Sequence, residues 1–288
     1  MSTLDGTIPF RVSDLADRKA RGIPIVMATA YDYVVASAVD AAGVDVVLVG
    51  DSAATVVLGL PVTRDVTVEE MLMLTRAARR GVNRAMLLGD LPFGSYEKSN
   101  VQAVTTARRF AEIGCDAVKM EGGGAIVDRA RAVVAAGIPV VGHLGLGPQT
   151  LVAGESARVQ ARSADAALAL IRDAVALEAA GCCALVLEAV PAAVSERVVP
   201  RVAMPVIGIG AGSAPDGQVL VTYDLAGLTE GHVPKFVKRY AELKQELTRS
   251  VTSYADDVRA HRFPESRHTY GIDAAELEKL DRRLGSSS

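Results

Sequence analysis

Three acidic side chains, Asp51, Asp90 and Glu121, each follow a short apolar segment of the sequence, which is an unusual place for a charge. If those segments are neighbouring strands of one parallel sheet, the carboxylates meet at the same edge, where like charges need a cation or take raised pKa values. An oxygen-only donor set without clustered His or Cys selects a hard ion such as Mg²⁺. The pattern therefore predicts a magnesium site, with Asp51 and Asp90 as the closer ligands and Glu121 further out, through water.

Two further charged residues indicate what this site would act on. Lys119 lies two residues before Glu121, so alternation along a strand places both side chains on one face. A cation next to a metal site suits an anionic substrate, most simply a carboxylate. Glu188 follows another apolar segment and is a candidate general base. Together these residues predict proton abstraction from a carboxylate substrate.

Each of these residues also has a purely structural interpretation. Asp51 and Asp90 can cap a loop or a helix. Lys119 and Glu121 can form an ion pair without a ligand, and Glu188 can pair with an arginine. The occurrence of three carboxylates after three consecutive segments favours the metal site over coincidence.

Two other features are ambiguous in the sequence. His143 lies in the glycine-flanked segment Gly142–Gly145, where a buried histidine with satisfied hydrogen bonds is the commoner case. The loop Gly208–Gly212 resembles a phosphate cradle, but it is equally a tight turn at which the backbone approaches a ligand. No cysteine has an obvious histidine partner, so a covalent nucleophile is not evident.

Short apolar segments bounded by turn residues predict eight strands that are buried on both faces, as in parallel sheets. These segments are Ile23–Thr29, Val44–Val49, Ala85–Gly89, Ala117–Met120, Ile138–Gly142, Ala184–Leu187, Pro205–Ile209 and Gln218–Thr222. The predicted helices between them are Tyr33–Ala42, Val68–Arg80, Val101–Ile113, Ala125–Ala136 and Ala164–Ala180. Strict alternation with eight strands favours an α/β fold of the (β/α)8 TIM barrel type, whose active sites lie at the carboxyl ends of the strands. The interval between the last two strands is too short for a normal helix and predicts a glycine-rich loop.

The length of 288 residues suits one barrel domain, predicted over residues 1–265, and a helical tail over residues 266–288 whose end is expected to be disordered. A charged helical extension is predicted from Lys235 to Arg262, and a further short helix from Asp273 to Leu284. These helices could cover the barrel or mediate assembly.

Composition excludes several classes of protein. The net charge of −3 and the absence of tryptophan argue against a nucleic-acid partner. Three cysteines without C-x-x-C spacing indicate a reducing compartment, and a cytoplasmic location is expected. The first ten residues do not resemble a signal peptide, and no apolar run approaches the roughly 20 residues of a membrane span.

The residues at the predicted strand ends resemble those of the ketopantoate hydroxymethyltransferase family over about residues 8 to 270. The similar stretches, in order, are Thr29–Tyr33, Val49–Ser52, Asp90–Tyr96, Val118–Gly123, Gly142–Leu146, Leu177–Gly181, Val186–Glu188, Pro205–Gly212, Asp216–Gln218 and Gly231–Phe236. The resemblance implies a barrel of the phosphoenolpyruvate/pyruvate type. It also implies transfer of a one-carbon unit from 5,10-methylenetetrahydrofolate to 3-methyl-2-oxobutanoate, giving 2-dehydropantoate in pantothenate biosynthesis.

Roles for individual residues follow from the same resemblance. Mg²⁺ is the implied metal, and its implied ligands are Asp51, Asp90 and Glu121. The implied contacts of the 2-oxo acid are Asp51, Ser52, Asp90 and Lys119. Glu188 is the implied proton acceptor. The family implies a large homo-oligomer, typically a decamer.

Three stretches depart from the family pattern. A Leu-Pro-Val-Thr string occurs early, at Leu60–Thr63, Gly147 replaces a threonine, and Glu155–Ala161 replaces a glycine-rich motif. These changes leave the metal and base positions intact and bear on folate handling, loop closure and substrate choice. Two alternatives stay open: a Mg²⁺-dependent lyase or mutase acting on another 2-oxo acid without folate, and a barrel that binds ligands without catalysis.

Overall fold

Our computed structural model describes residues 8–150, 158–231 and 233–285. Several sequence predictions fall wholly or partly outside this range: the absence of a signal peptide, the altered stretch Glu155–Ala161, His232 of the last family motif, and the disordered end. The chain forms two compact units, Met1–Ala241 and Glu242–Ser288. The predicted domain boundary at residue 265 lies inside the second unit and stays a prediction.

Eight parallel strands close into a barrel in sequence order, with the last strand paired to the first. The strands are β1 (Ile25–Thr29), β2 (Val46–Val49), β3 (Met86–Asp90), β4 (Ala117–Glu121), β5 (Val140–Gly145), β6 (Ala184–Glu188), β7 (Val206–Ile209) and β8 (Gly217–Leu220). Each predicted segment overlaps one of these strands, with bounds that differ by a few residues. The predicted (β/α)8 barrel is confirmed.

Helices follow most of the strands along the chain, and two further helices belong to the second unit. They are α1 (Val12–Ala20), α2 (Tyr33–Ala41), α3 (Ala53–Val56), α4 (Val68–Arg79), α5 (Asn100–Glu112), α6 (Ala125–Ala135), α7 (Ala164–Ala179), α8 (Ala192–Val198), α9 (Thr222–Leu225), α10 (Leu243–Arg259) and α11 (Ala274–Gly285). All five helices predicted between the strands are present. The start of α4 is fixed by a capping box, in which the side chains of Thr67 and Glu70 each bond to the backbone of the other residue. Within the described residues, no helix combines the length and hydropathy needed to cross a membrane.

Alternation along the strands divides the core into two layers. One set of side chains packs inside the barrel, including Ile25, Met27, Leu48, Met86, Leu88, Ala117, Val141, Ala184, Val186, Ile207 and Val219. The other set packs outward against the helices. Toward the carboxyl ends of the strands, the positions that face the barrel interior become polar. These residues are Thr29, Asp90, Lys119, Glu121, His143 and Glu188. The strand period therefore directs these groups to one end of the barrel interior.

The amino-terminal helix α1 was not predicted from the sequence. Its Leu15 is buried and joins the interior cluster of the barrel. Lys19 donates to the carbonyl oxygens of Val202 and Met204, both at 3.0 Å, and lies 3.1 Å from Asp216. These contacts with distant parts of the chain attach α1 to the barrel.

The loop between β7 and β8 lacks a helix, as the short interval predicts. Its glycines permit close packing: a Cβ on Gly210 would lie 2.5 Å from the ring of Phe236, and one on Gly212 would lie 2.5 Å from Ala192. Both glycines have positive φ angles, 62° and 78°. Close packing within the protein therefore explains these glycines, and a bound phosphate is not needed to explain them.

The predicted extension from Lys235 to Arg262 is wrong at its start, because α10 begins only at Leu243. The preceding segment instead bonds to the barrel unit: the Tyr240 N–H donates to the Leu225 carbonyl at 2.7 Å. In the second unit, α10 and α11 are amphipathic and contain no buried residue. The short helix predicted from Asp273 to Leu284 corresponds to α11.

Candidate active site

A cavity of about 90 Å³ opens at the carboxyl ends of the strands. We call it the rim cavity. Its walls carry the predicted site residues Asp51, Ser52, Asp90, Lys119 and Glu188. Apolar side chains from four strands complete it, namely Leu48, Val186, Ile209 and Val219. The structure thus brings together every predicted site residue except Glu121.

A buried ion pair holds one side of the rim cavity. Lys119 Nζ lies 2.8 Å from Asp90 Oδ1, and the backbone N–H of Asp51 donates to Asp90 Oδ2 at 3.0 Å. Burial alone would lower the pKa of Lys119, but the adjacent Asp90 and Asp51 carboxylates outweigh it, so the pKa is raised. Lys119 therefore carries its positive charge at neutral pH.

The second carboxylate of this wall, Asp51, lacks a compensating partner. Burial, reinforced by the nearby charge of Asp90, raises the pKa of Asp51 to about 8. Burial likewise raises the pKa of Asp90, against the opposing effect of Lys119. Asp51 Oδ2 has no hydrogen-bond partner among the described residues, whereas Asp90 Oδ1 is paired with Lys119. An unpartnered oxygen of one buried carboxylate, beside a second carboxylate, fits a bound cation.

The metal ligands predicted from the sequence are Asp51, Asp90 and Glu121. In the described part of the chain, no group of three or more His, Cys, Asp or Glu side chains could hold a metal ion. The pair Asp51 and Asp90 is instead the set that Mg²⁺ accepts when water and substrate oxygens complete its octahedron.

Glu121 does not line the rim cavity but lines a neighbouring cavity that shares His143 with it. Its Oε1 accepts from the Gln149 N–H at 3.1 Å, and its Oε2 lies 3.4 Å from His143 Nδ1. Although burial opposes it, the contact with His143 lowers the pKa of Glu121. This position favours an outer role, and direct metal ligation by Glu121 stays a prediction.

His143 links two of the acidic residues, a role that the sequence interpretation missed. Its Nε2 lies 3.3 Å from Glu188 Oε2, opposite the contact between Nδ1 and Glu121. Burial and the charge of Lys119 lower the pKa of His143, but its contacts with Glu121 and Glu188 prevail and raise it to about 9. His143 therefore lies between the two carboxylates, with its Nδ1 also 3.4 Å from Lys119 Nζ. The register of β5 against β4 places Glu121 beside His143 and could have indicated this contact.

Hydroxyl groups complete the site. Ser52 Oγ lies 2.8 Å from the hydroxyl of Tyr31, whose burial raises its pKa. Thr63, from the altered stretch Leu60–Thr63, also lines the rim cavity, and its hydroxyl has no partner among the described residues. Thr63 therefore presents a polar group to the cavity wall.

A buried hydrogen-bond network supports the backbone of Glu121. The Tyr96 hydroxyl accepts from the Glu121 N–H at 3.1 Å and lies 2.7 Å from Gln149 Oε1. Gln149 Nε2 donates to the Leu91 carbonyl at 3.0 Å. These supports were not predicted, because they join loops that are distant in sequence.

Solved structures with similar folds cover nearly the whole chain. Phosphonopyruvate hydrolase in complex with oxalate and Mg²⁺ has a TM-score of 0.58 at 13% identity, covering 96% of each chain. 2,3-Dimethylmalate lyase, a member of the PEP mutase/isocitrate lyase superfamily, has a TM-score of 0.56 at 15% identity, covering 95% of this chain and 98% of the lyase. At this identity the likeness shows the fold, which is the predicted phosphoenolpyruvate/pyruvate barrel type.

Sequence relatives give a finer result. The family profile described as ketopantoate hydroxymethyltransferase matches residues 9–266. The 3-methyl-2-oxobutanoate hydroxymethyltransferase of Nitratidesulfovibrio vulgaris (strain DP4) is 48% identical, covering 96% of this chain and 92% of the relative. That of Frankia alni is 50% identical, covering 91% of this chain and 86% of the relative. The chain therefore belongs to the ketopantoate hydroxymethyltransferase family and is a transferase.

Proposed function

We propose that this enzyme transfers the one-carbon unit of 5,10-methylenetetrahydrofolate to 3-methyl-2-oxobutanoate, giving 2-dehydropantoate and tetrahydrofolate in pantothenate biosynthesis. The observation that carries the proposal is the composition of the rim cavity. It combines Asp51, whose Oδ2 has no partner among the described residues, the buried ion pair of Asp90 and Lys119, and one further carboxylate, Glu188. These are the groups needed to hold a 2-oxo acid with a divalent ion and to remove a proton from it.

The walls of the rim cavity suit a small branched 2-oxo acid. The substrate carboxylate is attracted to the Lys119 ammonium, and the Ser52 hydroxyl donates a hydrogen bond to it. The isopropyl group contacts the apolar side chains of Val186, Ile209 and Val219.

Mg²⁺ fits the carboxylates of this wall. Asp51 and Asp90 would hold it, with Glu121 acting from outside through water. When bound, the ion supplies Lewis-acid stabilisation of the negative charge that develops on the ketone oxygen. Lys119 adds a fixed positive charge beside the same group, in a buried setting where such charges act strongly.

Glu188 takes the proton from C3 of the acid. His143, 3.3 Å away, orients the carboxylate. The C3 carbon then forms a bond to the one-carbon unit, both bonds from that unit to folate nitrogens break, and one water supplies the hydroxyl oxygen. No covalent nucleophile is needed, and no cysteine is among the described residues that line the cavity.

The test is an assay of the purified protein with 3-methyl-2-oxobutanoate, 5,10-methylenetetrahydrofolate and Mg²⁺. We expect 2-dehydropantoate only when all three are present. In D₂O without folate, we expect exchange of the C3 proton with solvent deuterium. Failure of both reactions with this acid, at saturating Mg²⁺, would contradict the proposal.

The two alternatives have less support. The lyase or mutase alternative rests on the shared barrel fold alone, because the solved structures with this fold are only 12–15% identical to the chain. In contrast, several relatives near 48% identity are named hydroxymethyltransferases. Carbon–carbon cleavage of another 2-oxo acid, with no folate requirement, would favour the lyase. Tight binding of the acid without exchange would favour a barrel without catalysis.

We also propose that the protein assembles into a homo-oligomer in the cytoplasm. In support of assembly, α10 exposes a regular apolar stripe consisting of Leu243, Leu247, Val251, Tyr254 and Val258. Helix-spaced apolar residues that remain uncovered are typical of assembly surfaces. All three cysteines are free, which agrees with a reducing compartment. Light scattering gives the subunit number, and a monomer at micromolar concentration would refute assembly.

A further inference from the structure

A second cavity, of about 500 Å³, lies beside the rim cavity. We call it the side cavity. The two share Ser52 and Val221 in their walls. The other lining residues of the side cavity are Thr55, Val56, Tyr223, Asp224, Leu228, Thr229, Glu230 and Pro234. The reaction proposed above leaves this space unused.

Size and position assign the side cavity to the larger of the two reactants. A transfer between two bound molecules requires their reacting atoms to touch, so the donor must lie next to the acid. The walls of the rim cavity are already assigned to the acid and the metal ion, so the donor binds next to them. The side cavity adjoins it and is several times larger.

The side chains of the side cavity fit a flat, donor-rich ring. Tyr223 is fixed by an edge-to-face contact with Tyr31, with ring centroids 5.4 Å apart at 86°. Tyr31 is in turn bonded to Ser52, so the aromatic contact is tied to the acid site. Aromatic faces of this kind pack against planar heterocycles.

A carboxylate supplies the polar recognition. Asp224 Oδ1 accepts from the Thr229 hydroxyl at 2.6 Å, which holds the group in place, and Oδ2 takes no part in that bond. Glu230 is a second carboxylate in the wall. Among the described lining residues there is no lysine or arginine, so the wall suits a neutral edge with several N–H donors and not an anion.

We propose that the side cavity binds the pterin ring of the folate donor, with Asp224 accepting from the adjacent ring N–H and 2-amino groups and Tyr223 packing against the ring. Two neighbouring N–H donors match the two oxygens of one carboxylate. The glutamate end of the folate then points away from the acidic wall. This inference rests on the proposed function, because it takes the donor to be a folate.

A third cavity offers a matched control. It is lined by Asp173 and shares only His143 with the rim cavity. Asp173 also has one anchored oxygen, since Oδ1 accepts from the Gly124 N–H at 3.2 Å. Asp173→Asn therefore makes the same chemical change as Asp224→Asn, in a cavity that is less connected to the acid site.

The experiment compares these two variants in three measurements: the KM for 5,10-methylenetetrahydrofolate, the Kd for tetrahydrofolate by calorimetry, and folate-independent C3 exchange. For Asp224→Asn we expect KM and Kd to rise at least about tenfold, the usual effect of losing a charged hydrogen bond. Exchange should stay within about twofold of wild type. Asp173→Asn should match wild type in all three.

Two further variants separate recognition from local folding. Thr229→Val removes the anchor of Asp224 but keeps the carboxylate, and should raise KM less than Asp224→Asn. Tyr223→Leu removes the ring and should raise KM about tenfold, whereas Tyr223→Phe should restore it. Because Tyr223→Leu leaves Asp224 intact, it tests the cavity even if Asp224→Asn does not fold.

The outcomes distinguish this inference from the proposed function. If wild type forms no folate-dependent product, the proposed function fails. If wild type turns over normally and Asp224→Asn and Tyr223→Leu bind tetrahydrofolate with unchanged Kd, only the side-cavity assignment is overturned. An increased Kd in Asp173→Asn alone would place the pterin in the third cavity instead.

Discussion

Replacing Glu188 by glutamine isolates the proton-transfer step. Glutamine keeps the size of the side chain and an oxygen that can face His143, 3.3 Å away, but it cannot accept a proton. The groups assigned to binding, Lys119 and the aspartates, are untouched. A positioned general base contributes about a hundred- to ten-thousandfold to a rate. Exchange at C3 should therefore fall by that factor, while the Kd for the acid stays within a few fold.

The assay follows loss of the C3 proton signal of 3-methyl-2-oxobutanoate by NMR in D₂O, with Mg²⁺ and without folate. Glu196→Gln, an exposed glutamate on α8, is the matched control and should exchange at the wild-type rate. Exchange by Glu188→Gln within a few fold of wild type would remove Glu188 as the base. Loss of acid binding together with exchange would instead give it a binding role.

Further predictions concern the Mg²⁺ ligand Asp90, the ion pair of Lys119 with Asp90, and the three cysteine thiols. Asp90→Asn should raise the Mg²⁺ concentration needed for half-maximal exchange by about tenfold or more; an unchanged Mg²⁺ titration would contradict its ligand role. Lys119→Met leaves buried Asp90 unpaired and should lower the free energy of unfolding in urea by about 3–5 kcal/mol. Arg109→Met, which breaks an exposed pair with Glu69, should cost under about 1 kcal/mol, and equal losses would refute the distinction. Burial raises the pKa of all three cysteines to about 12. At pH 8 they should therefore react with a thiol reagent on the order of a thousandfold more slowly than a free thiol. Denaturant should expose them and remove this difference. Rapid labelling of the native protein would show that they are accessible.

The period of the strands explains why much of the site was predictable from the sequence. Once eight parallel strands are placed, alternation directs Asp90, Lys119 and Glu188 into one end of the barrel. Their convergence then needs no knowledge of loops. The same rule also directs His143 inward, but only the register between strands shows that it lies between two carboxylates.

Other features depend on contacts between distant segments, which periodicity does not encode. The attachment of α1 through Lys19 joins residues that are far apart in sequence. The segment before α10 looks helical by composition, yet its Tyr240 bonds to Leu225. The Glu121 carboxylate likewise accepts a hydrogen bond from Gln149 in a distant loop. Such tertiary contacts override local preference and become visible only in the folded structure.

A crystal structure with Mg²⁺ and 3-methyl-2-oxobutanoate tests the central claim most directly. The ion should lie about 2.0–2.1 Å from carboxylate oxygens of both Asp51 and Asp90, with the acid filling two further positions of its octahedron. An ion bound elsewhere, or an acid in the rim cavity without any ion on these two residues, would contradict the account.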